Sequence, residues 1–164
     1  MKKNIFLGLL LPLVGIVSGC HSNVTRPEVA CILKQIGSSY TPGAVGYEGR
    51  ITHQDEQIEA LGDVATSDEL YQLAAADSVP MTRLAAFIAL MRQRPDIAKN
   101  LALMDIQSRA CVPALYGCDS YMESLANLRI EILQQEGRNY GLTKADSLAI
   151  DSCVLFTPHA KYLG

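Results

Sequence analysis

Residues 66–95, TSDELYQLAAADSVPMTRLAAFIALMRQRP, carry the strongest structural pattern in this chain. Thr66 and Glu69 form a capping box, in which a hydroxyl and a carboxylate bond free backbone N–H groups at a helix start. Apolar residues recur at helical spacing on both sides of a short polar turn. Pro80 suits the first turn of a helix, and Pro95 ends that helix. The stretch therefore predicts two consecutive amphipathic helices joined by a turn.

Weaker helical patterns flank this pair on both sides. Trp is absent and Phe is scarce, while Ala and Leu are abundant, which favours helices packed through small side chains. The sequence predicts an all-α fold of about seven helices. Their predicted ranges are 26–36, 55–64, 66–76, 80–93, 96–106, 120–136 and 143–155.

The turn and second helix of the central pair resemble a HEAT repeat, the antiparallel helix pair that stacks into α-solenoids. The resemblance rests on Asp77-Ser-Val-Pro-Met-Thr-Arg83-Leu-Ala-Ala86-Phe-Ile-Ala89-Leu90. It covers residues 66–106, and Thr82 departs from the usual valine. The resemblance implies that Asp77 caps the helix and that Arg83 bonds toward it or toward a neighbouring repeat. It implies a short HEAT-like, solenoid-like array without the regularity of a full solenoid.

The first twenty residues combine a basic start, an apolar run and a small-residue site that ends in cysteine. Lys2 and Lys3 suit the inner face of a membrane, and the apolar run is shorter than the roughly 20 residues that span a bilayer. Val17-Ser18-Gly19-Cys20 resembles the lipobox of bacterial lipoproteins. The resemblance implies cleavage before Cys20 and lipidation of its thiol. The alternative is an ordinary secretory signal with a chance cysteine.

These features predict three segments. Residues 1–19 form a lipoprotein signal peptide, residues 20–25 a lipidated tether, and residues 26–164 one helical HEAT-like domain. The residue after the cysteine is His21, not the aspartate that marks inner-membrane retention in enterobacterial lipoproteins. We therefore expect an outer-membrane anchor facing the periplasm, with the membrane bound through the N-terminal lipid.

Four cysteines remain after lipidation, and an even number in an oxidising compartment first suggests two disulfides. Three pairings are possible. Pro113 and Gly117 favour a compact loop, so we expect Cys111 to bond Cys118. Cys31 would then bond Cys153 and join the first helix to the last. Free thiols are the alternative to this disulfide model.

A metal site is not expected, because the closest cysteine spacing leaves six residues between the thiols and no histidine is nearby. The chain also lacks the GxSxG, HExxH, P-loop and Rossmann patterns. Its three histidines, His21, His53 and His159, are far apart in sequence. We expect no catalytic residues, no metal and no cofactor.

Residues 40–52 have no helical period and are rich in Gly and Pro, which predicts a loop of a dozen residues. Tyr40, Tyr47 and Arg50 make it the best candidate for a contact with another protein. The alternative is that the tyrosines only pack the loop onto the domain.

Charge and composition narrow the function. The whole chain carries 14 basic and 17 acidic residues, and loss of the signal peptide removes two lysines, leaving a net charge of about −5. This balance argues against nucleic acid as a partner. We expect a noncatalytic protein–protein interaction module of the cell envelope. The alternatives are an immunity protein that neutralises a periplasmic toxin, an envelope structural factor, and an envelope hydrolase with a dispersed site.

Overall fold

The computed structural model describes residues 25–42, 44–45 and 50–154, with only the backbone described at 44–45, 50–51 and 153–154. This part of the chain is mostly helical, which confirms the predicted all-α class with about seven helices. The α-helices are α1 (Pro27–Ile36), α2 (Gln54–Val64), α3 (Ser67–Ala76), α4 (Pro80–Gln93), α5 (Pro95–Met104), α6 (Leu125–Glu136) and α7 (Lys144–Val154). A short 3₁₀ helix covers Gly137–Tyr140.

Helix α4 forms the centre of the domain. Every residue from Leu84 to Met91 is buried, so this helix is enclosed on all sides, as expected when apolar residues cover the whole circumference. It packs against α2, α3, α5 and α6. Small residues permit this close packing, and Gly62 of α2 lies over Ala89, where an added Cβ would be 3.7 Å from the Ala89 Cβ.

The predicted start of α3 is confirmed. The Thr66 hydroxyl accepts a hydrogen bond from the Glu69 backbone N–H at 3.3 Å, and the Glu69 carboxylate accepts one from the Thr66 N–H at 2.9 Å. Proline occupies the first turn of α1, α4 and α5, where its missing N–H has no helical acceptor to lose.

Four short strands accompany the helices. Strands β1 (Ala44–Val45) and β2 (Arg50–Ile51) form an antiparallel pair inside the segment predicted to be an irregular loop. Strands β3 (Cys111–Tyr116) and β4 (Asp119–Ser124) form an antiparallel hairpin, with Cys111 opposite Ser124 and Tyr116 opposite Asp119. Gly117, at φ 63°, supplies the left-handed conformation of the connecting turn.

The sixth helix begins later than predicted, because the hairpin includes the residues expected to start that helix. The predicted range of that helix was 120–136, whereas Ser120 and Glu123 lie in β4 and the helix is capped by Ser124, whose hydroxyl accepts from the Asn127 N–H. The physical reason is the alternation of buried Val112 and Ala114 with less buried neighbours in β3, which suits a strand that covers the core with one face.

One buried ionic cluster joins four helices. Arg129 of α6 is fully buried, and its guanidinium donates to the Asp105 carboxylate at 2.5 Å and to the Ala74 carbonyl at the end of α3. Arg83 of α4 donates to the same carboxylate at 2.7 Å. The Arg129 guanidinium also lies over the Phe87 ring, 5.2 Å from its centroid. Two cations therefore share one anion at the edge of the core, where the Asp105 side chain is 26% exposed.

None of the helices in the described residues combines the length and apolar character needed to cross a lipid bilayer.

Candidate protein-binding groove

A groove of about 450 Å³ runs between the start of α1 and one face of α3. Its floor is apolar, and its rim carries carboxylates and other polar groups. The residues of α3 that line it lie three or four positions apart and so share one helix face. The lining residues are Thr25, Val29, Asp68, Glu69, Gln72, Leu73, Ala76, Asp77 and Ser78.

The side of the groove at α1 is fixed by a forked ion pair. Arg26 donates to both carboxylate oxygens of Glu69, at 2.6 and 2.7 Å, and to the Val64 carbonyl at 2.7 Å. Hydrogen bonds from Arg26 and from the Thr66 backbone lower the pKa of Glu69 to about 2. This arrangement holds the entrance of α1 against the start of α3, which sets the width of the groove.

The carboxylates of the rim differ in their hydrogen-bond and ion-pair partners. Glu69 is neutralised by Arg26, and Asp77 accepts a hydrogen bond from the Val79 N–H at 2.7 Å through Oδ1. Asp68 is exposed and has no hydrogen bond to another described residue. Asp68 and Asp77 therefore carry the negative charge that a ligand in the groove would meet.

The HEAT-like residues have separate contacts in the structure. Asp77 does not cap α4 as the resemblance implied: the N-cap residue is Val79, which has no side-chain cap bond, and the Asp77 carboxylate accepts only from the Val79 N–H in the turn. Arg83 does not contact Asp77 but donates to the Ala74 carbonyl at 3.3 Å and to Asp105. Arg83 thus belongs to the buried cluster, whereas Asp77 lies at the groove.

The prediction that Tyr40, Tyr47 and Arg50 form a contact surface stays a prediction, because the structure describes only part of that segment. Tyr40 packs against the core and bridges to β3, and burial raises the pKa of its phenol to about 12. The backbone of Arg50 pairs with Val45. The side chain of Arg50 and the whole of Tyr47 lie outside the described residues.

The cysteine prediction needs correction. Cys111 and Cys118 are free thiols, one at the outer end of β3 and the other in its turn. The first and last residues of a six-residue strand are roughly 17 Å apart, whereas a disulfide needs Cα atoms within about 7 Å. The loop that was expected to bring the two thiols together is an extended strand instead.

The remaining sequence-predicted groups are placed only in part. Cys31 is an exposed free thiol on α1, and the side chain of its predicted partner Cys153 lies outside the described residues. Cys20 also lies outside them. His53 is exposed before α2, with Nδ1 3.0 Å from the Glu56 carboxylate.

Of the residues that define the groove and the cluster, the sequence patterns singled out Glu69, Asp77 and Arg83, but they missed the others: Asp68, Gln72, Asp105 and Arg129. Asp68 and Gln72 are four residues apart on α3, a spacing that places them on one face, but such pairs are common on solvated helices. Arg129 stands between Leu128 and Ile130 in α6, but polar residues two positions away on both sides, Asn127 and Glu131, hide it among the polar positions of the helix. Nothing in the sequence marks Asp105 as part of a cluster, because the two arginines that bind it, Arg83 and Arg129, come from distant helices.

Comparison with protein-family models, curated proteins and solved structures found no match for this chain. Within the part of the chain that the structure describes, no three His, Cys, Asp or Glu side chains are grouped so as to hold a metal ion. The groove itself offers apolar surface and carboxylates. This chemistry suits the binding of an apolar segment that carries positive charge.

Proposed function

We propose that this protein is an outer-membrane-anchored periplasmic lipoprotein that acts as a noncatalytic protein-protein interaction module of the cell envelope. The observation that carries the proposal is the groove between α1 and α3, which combines an apolar floor at Val29 and Leu73 with a negative rim. Its partner is a protein segment with apolar and basic side chains, because such a segment complements both features.

The position of the groove supports an anchored role. Thr25, the last residue of the proposed tether, lines the groove, so a bound partner would lie close to the lipidated end of the chain. Cys20→Ser should abolish incorporation of labelled palmitate and leave the signal peptide attached, so the variant should migrate as the larger precursor. Palmitate labelling that persists in this variant would contradict the anchor.

The charge of the rim also favours one specific role, that of an immunity protein that neutralises a basic periplasmic toxin. An inhibitor of a basic protein needs complementary negative surface at its contact, and Asp68 and Asp77 supply it. Expression of the protein should then protect cells against one delivered toxin. Broad changes in detergent sensitivity of a deletion strain, without such protection, would favour an envelope structural factor.

The groove is tested by reversing its charge without disturbing its hydrogen bonds. Asp68→Lys combined with Gln72→Arg changes two exposed lining residues that bond no other described residue. Crosslinking in intact cells followed by affinity purification should recover one dominant partner with the wild type and at least tenfold less with this variant. Glu59→Lys, on the exposed face of α2, is the matched control and should retain the partner.

A further inference from the structure

The β3–β4 hairpin has one protected edge and one open edge. On the protected edge, the Tyr40 N–H donates to the Pro113 carbonyl at 2.7 Å, and the Leu115 N–H donates to the Tyr40 carbonyl at 2.8 Å. Tyr40 therefore lies beside β3 on the side away from β4. Strand β4 is the outermost strand of this arrangement.

The contacts of Tyr40 determine which backbone groups of β4 point outward. In an antiparallel ladder, each residue directs both its N–H and its C=O to the same side, and the side alternates along the strand. Since Pro113 and Leu115 point toward Tyr40, the ladder bonds to β4 come from Val112, Ala114 and Tyr116.

The same alternation applies to β4. Tyr121 lies opposite Ala114, so it bonds inward, and its neighbours Ser120 and Met122 direct their backbone groups outward. Both neighbours are exposed, and no described residue bonds those groups. Native proteins commonly block such an edge with charged side chains, proline or a bulge. Strand β4 contains no proline, and its two charged residues, Asp119 and Glu123, are both negative, so they oppose acidic strands but not a basic one.

We propose that the outer edge of β4 is a second binding site, which takes an extended basic strand from another protein by β-strand addition. The backbone of Ser120 and Met122 would supply the ladder bonds, as in other sites that add a strand to a sheet edge. This inference goes beyond the proposed function, because it involves none of the residues that line the groove.

The side chains of β4 specify the chemistry of the added strand. Asp119 and Glu123 lie four positions apart and share one face of the strand, whereas Met122, which is 43% exposed, lies on the other. A partner strand with Lys or Arg opposite the two carboxylates and an apolar residue opposite Met122 would match both faces. Opposite charges directly across an antiparallel pair are stabilising.

The same charges argue against a second copy of this chain as the occupant. A two-fold axis at Tyr121 would pair Ser120 with Met122 of the second copy and satisfy the outward backbone groups. It would also place Asp119 directly opposite Glu123 of the second copy. Like charges across a strand pair are destabilising, so the edge favours a basic partner over self-association.

The test uses the full chain in detergent and a fluorescein-labelled, end-blocked peptide, Thr-Lys-Val-Thr-Thr-Lys-Thr. Fluorescence anisotropy should show saturable binding that weakens as salt is raised, because the Asp119 carboxylate is exposed and Glu123 is partly exposed. A peptide with Glu in place of both Lys should bind at least tenfold more weakly. Absence of saturation up to about 1 mM basic peptide, or equal binding of the acidic peptide, would overturn the proposal.

Variants locate the site on the edge. Met122→Pro removes an outward N–H without removing a bond to β3, so it should weaken binding at least tenfold, whereas Ser120→Ala keeps the backbone and should stay within twofold. Unchanged binding by Met122→Pro would overturn the proposal, provided that its circular dichroism is unchanged.

A second variant keeps the test decisive if Met122→Pro fails to fold. Asp119→Lys combined with Glu123→Lys should reverse the preference from the basic to the acidic peptide, because both altered side chains flank the added strand. An unreversed preference would overturn the proposed chemistry. If sedimentation shows a dimer that the Met122→Pro substitution dissociates, a second copy of this chain occupies the edge. That result would overturn the choice of a basic partner.

Discussion

The environment of Arg129 disfavours its positive charge, because the residue is completely buried and a guanidinium rarely is. Burial lowers its pKa to about 10, and the nearby Asp105 carboxylate opposes that shift. Its Nε has no hydrogen-bond partner among the described residues. The stability of the core therefore depends on the shared carboxylate of Asp105, which also binds Arg83.

Removal of the shared anion should be more damaging than removal of one cation. Asp105→Ala leaves Arg129 buried without a counter-ion, so we expect the free energy of unfolding to fall by about 3–5 kcal/mol. Arg83→Ala leaves the Arg129 to Asp105 pair in place and should cost about 1–3 kcal/mol. Urea unfolding of the two variants measures both values.

Asp96→Ala is the matched control for this comparison. Asp96 pairs with Arg94 on the surface, where both side chains are more than half exposed. An ion pair this exposed contributes little to stability, so the loss should be much smaller than for Asp105→Ala. Equal losses in all three variants would contradict the assignment of a buried cluster.

The Glu69 carboxylate should make stability depend on pH in the acid range. Its pKa is about 2 in the folded chain, below its ordinary value of 4.5, so the unfolded chain takes up its proton first as the pH falls. The free energy of unfolding should therefore decrease as the pH is lowered from about 4.5 to 2. The Glu69→Gln variant should show a smaller decrease over this window.

Glu59→Gln is the control for this pH dependence, because Glu59 is exposed and bonds no other described residue. Thermal unfolding followed by circular dichroism between pH 2 and 5 compares the three chains. Parallel curves for wild type and Glu69→Gln would mean that the Arg26 to Glu69 fork does not form in solution.

Among the helices and strands, the two glycines Gly62 and Gly117 should respond in opposite ways to substitution by alanine. Gly117 adopts φ 63° in the β3–β4 turn, a conformation that costs other residues about 1–2 kcal/mol. Gly62 is helical and has room for a Cβ. Gly117→Ala should lower the free energy of unfolding, and Gly62→Ala should raise it by up to about 1 kcal/mol. A Gly117→Ala variant at least as stable as the wild type would contradict the hairpin turn.

The hairpin also predicts the state of two thiols. Cys111 and Cys118 should both react with iodoacetamide in the native, unreduced protein, and Cys118 should react faster because it is more exposed. Mass spectrometry of the digested protein measures both reactions. A peptide in which Cys111 is bonded to Cys118 would mean that β3 and β4 do not pair in this way.

Sequence patterns were sufficient to predict some of the helices but not the hairpin. The capping box at Thr66 and the prolines at residues 80 and 95 set local backbone geometry, so α3 and α4 were predicted almost to the residue. The β3–β4 hairpin was missed because its strands stabilise each other, and β4 alone carries a capping pattern that is equally typical of a helix start. The disulfide prediction failed for the same reason, since it assumed a compact loop.

At the scale of the whole molecule, long-range contacts were beyond sequence reasoning. The groove needs α1 and α3 to be adjacent, and the Arg26 to Glu69 fork that fixes them joins residues 43 positions apart. The Lys99 to Asp146 pair, at 2.5 Å, joins α5 to α7 across 47 positions. Helical periodicity predicts which face of each helix is buried, but not which helix covers it.

We propose that the groove between α1 and α3 holds a protein partner in the cell envelope. The most direct measurement places the photo-crosslinking residue p-benzoylphenylalanine at Gln72, inside the groove, or at Glu59, on α2, in the full chain in intact cells. We predict one dominant crosslinked protein from position 72, none from position 59, and loss of the product when Asp68→Lys is added. No crosslinked protein at position 72, or the same products from both positions, would contradict the claim.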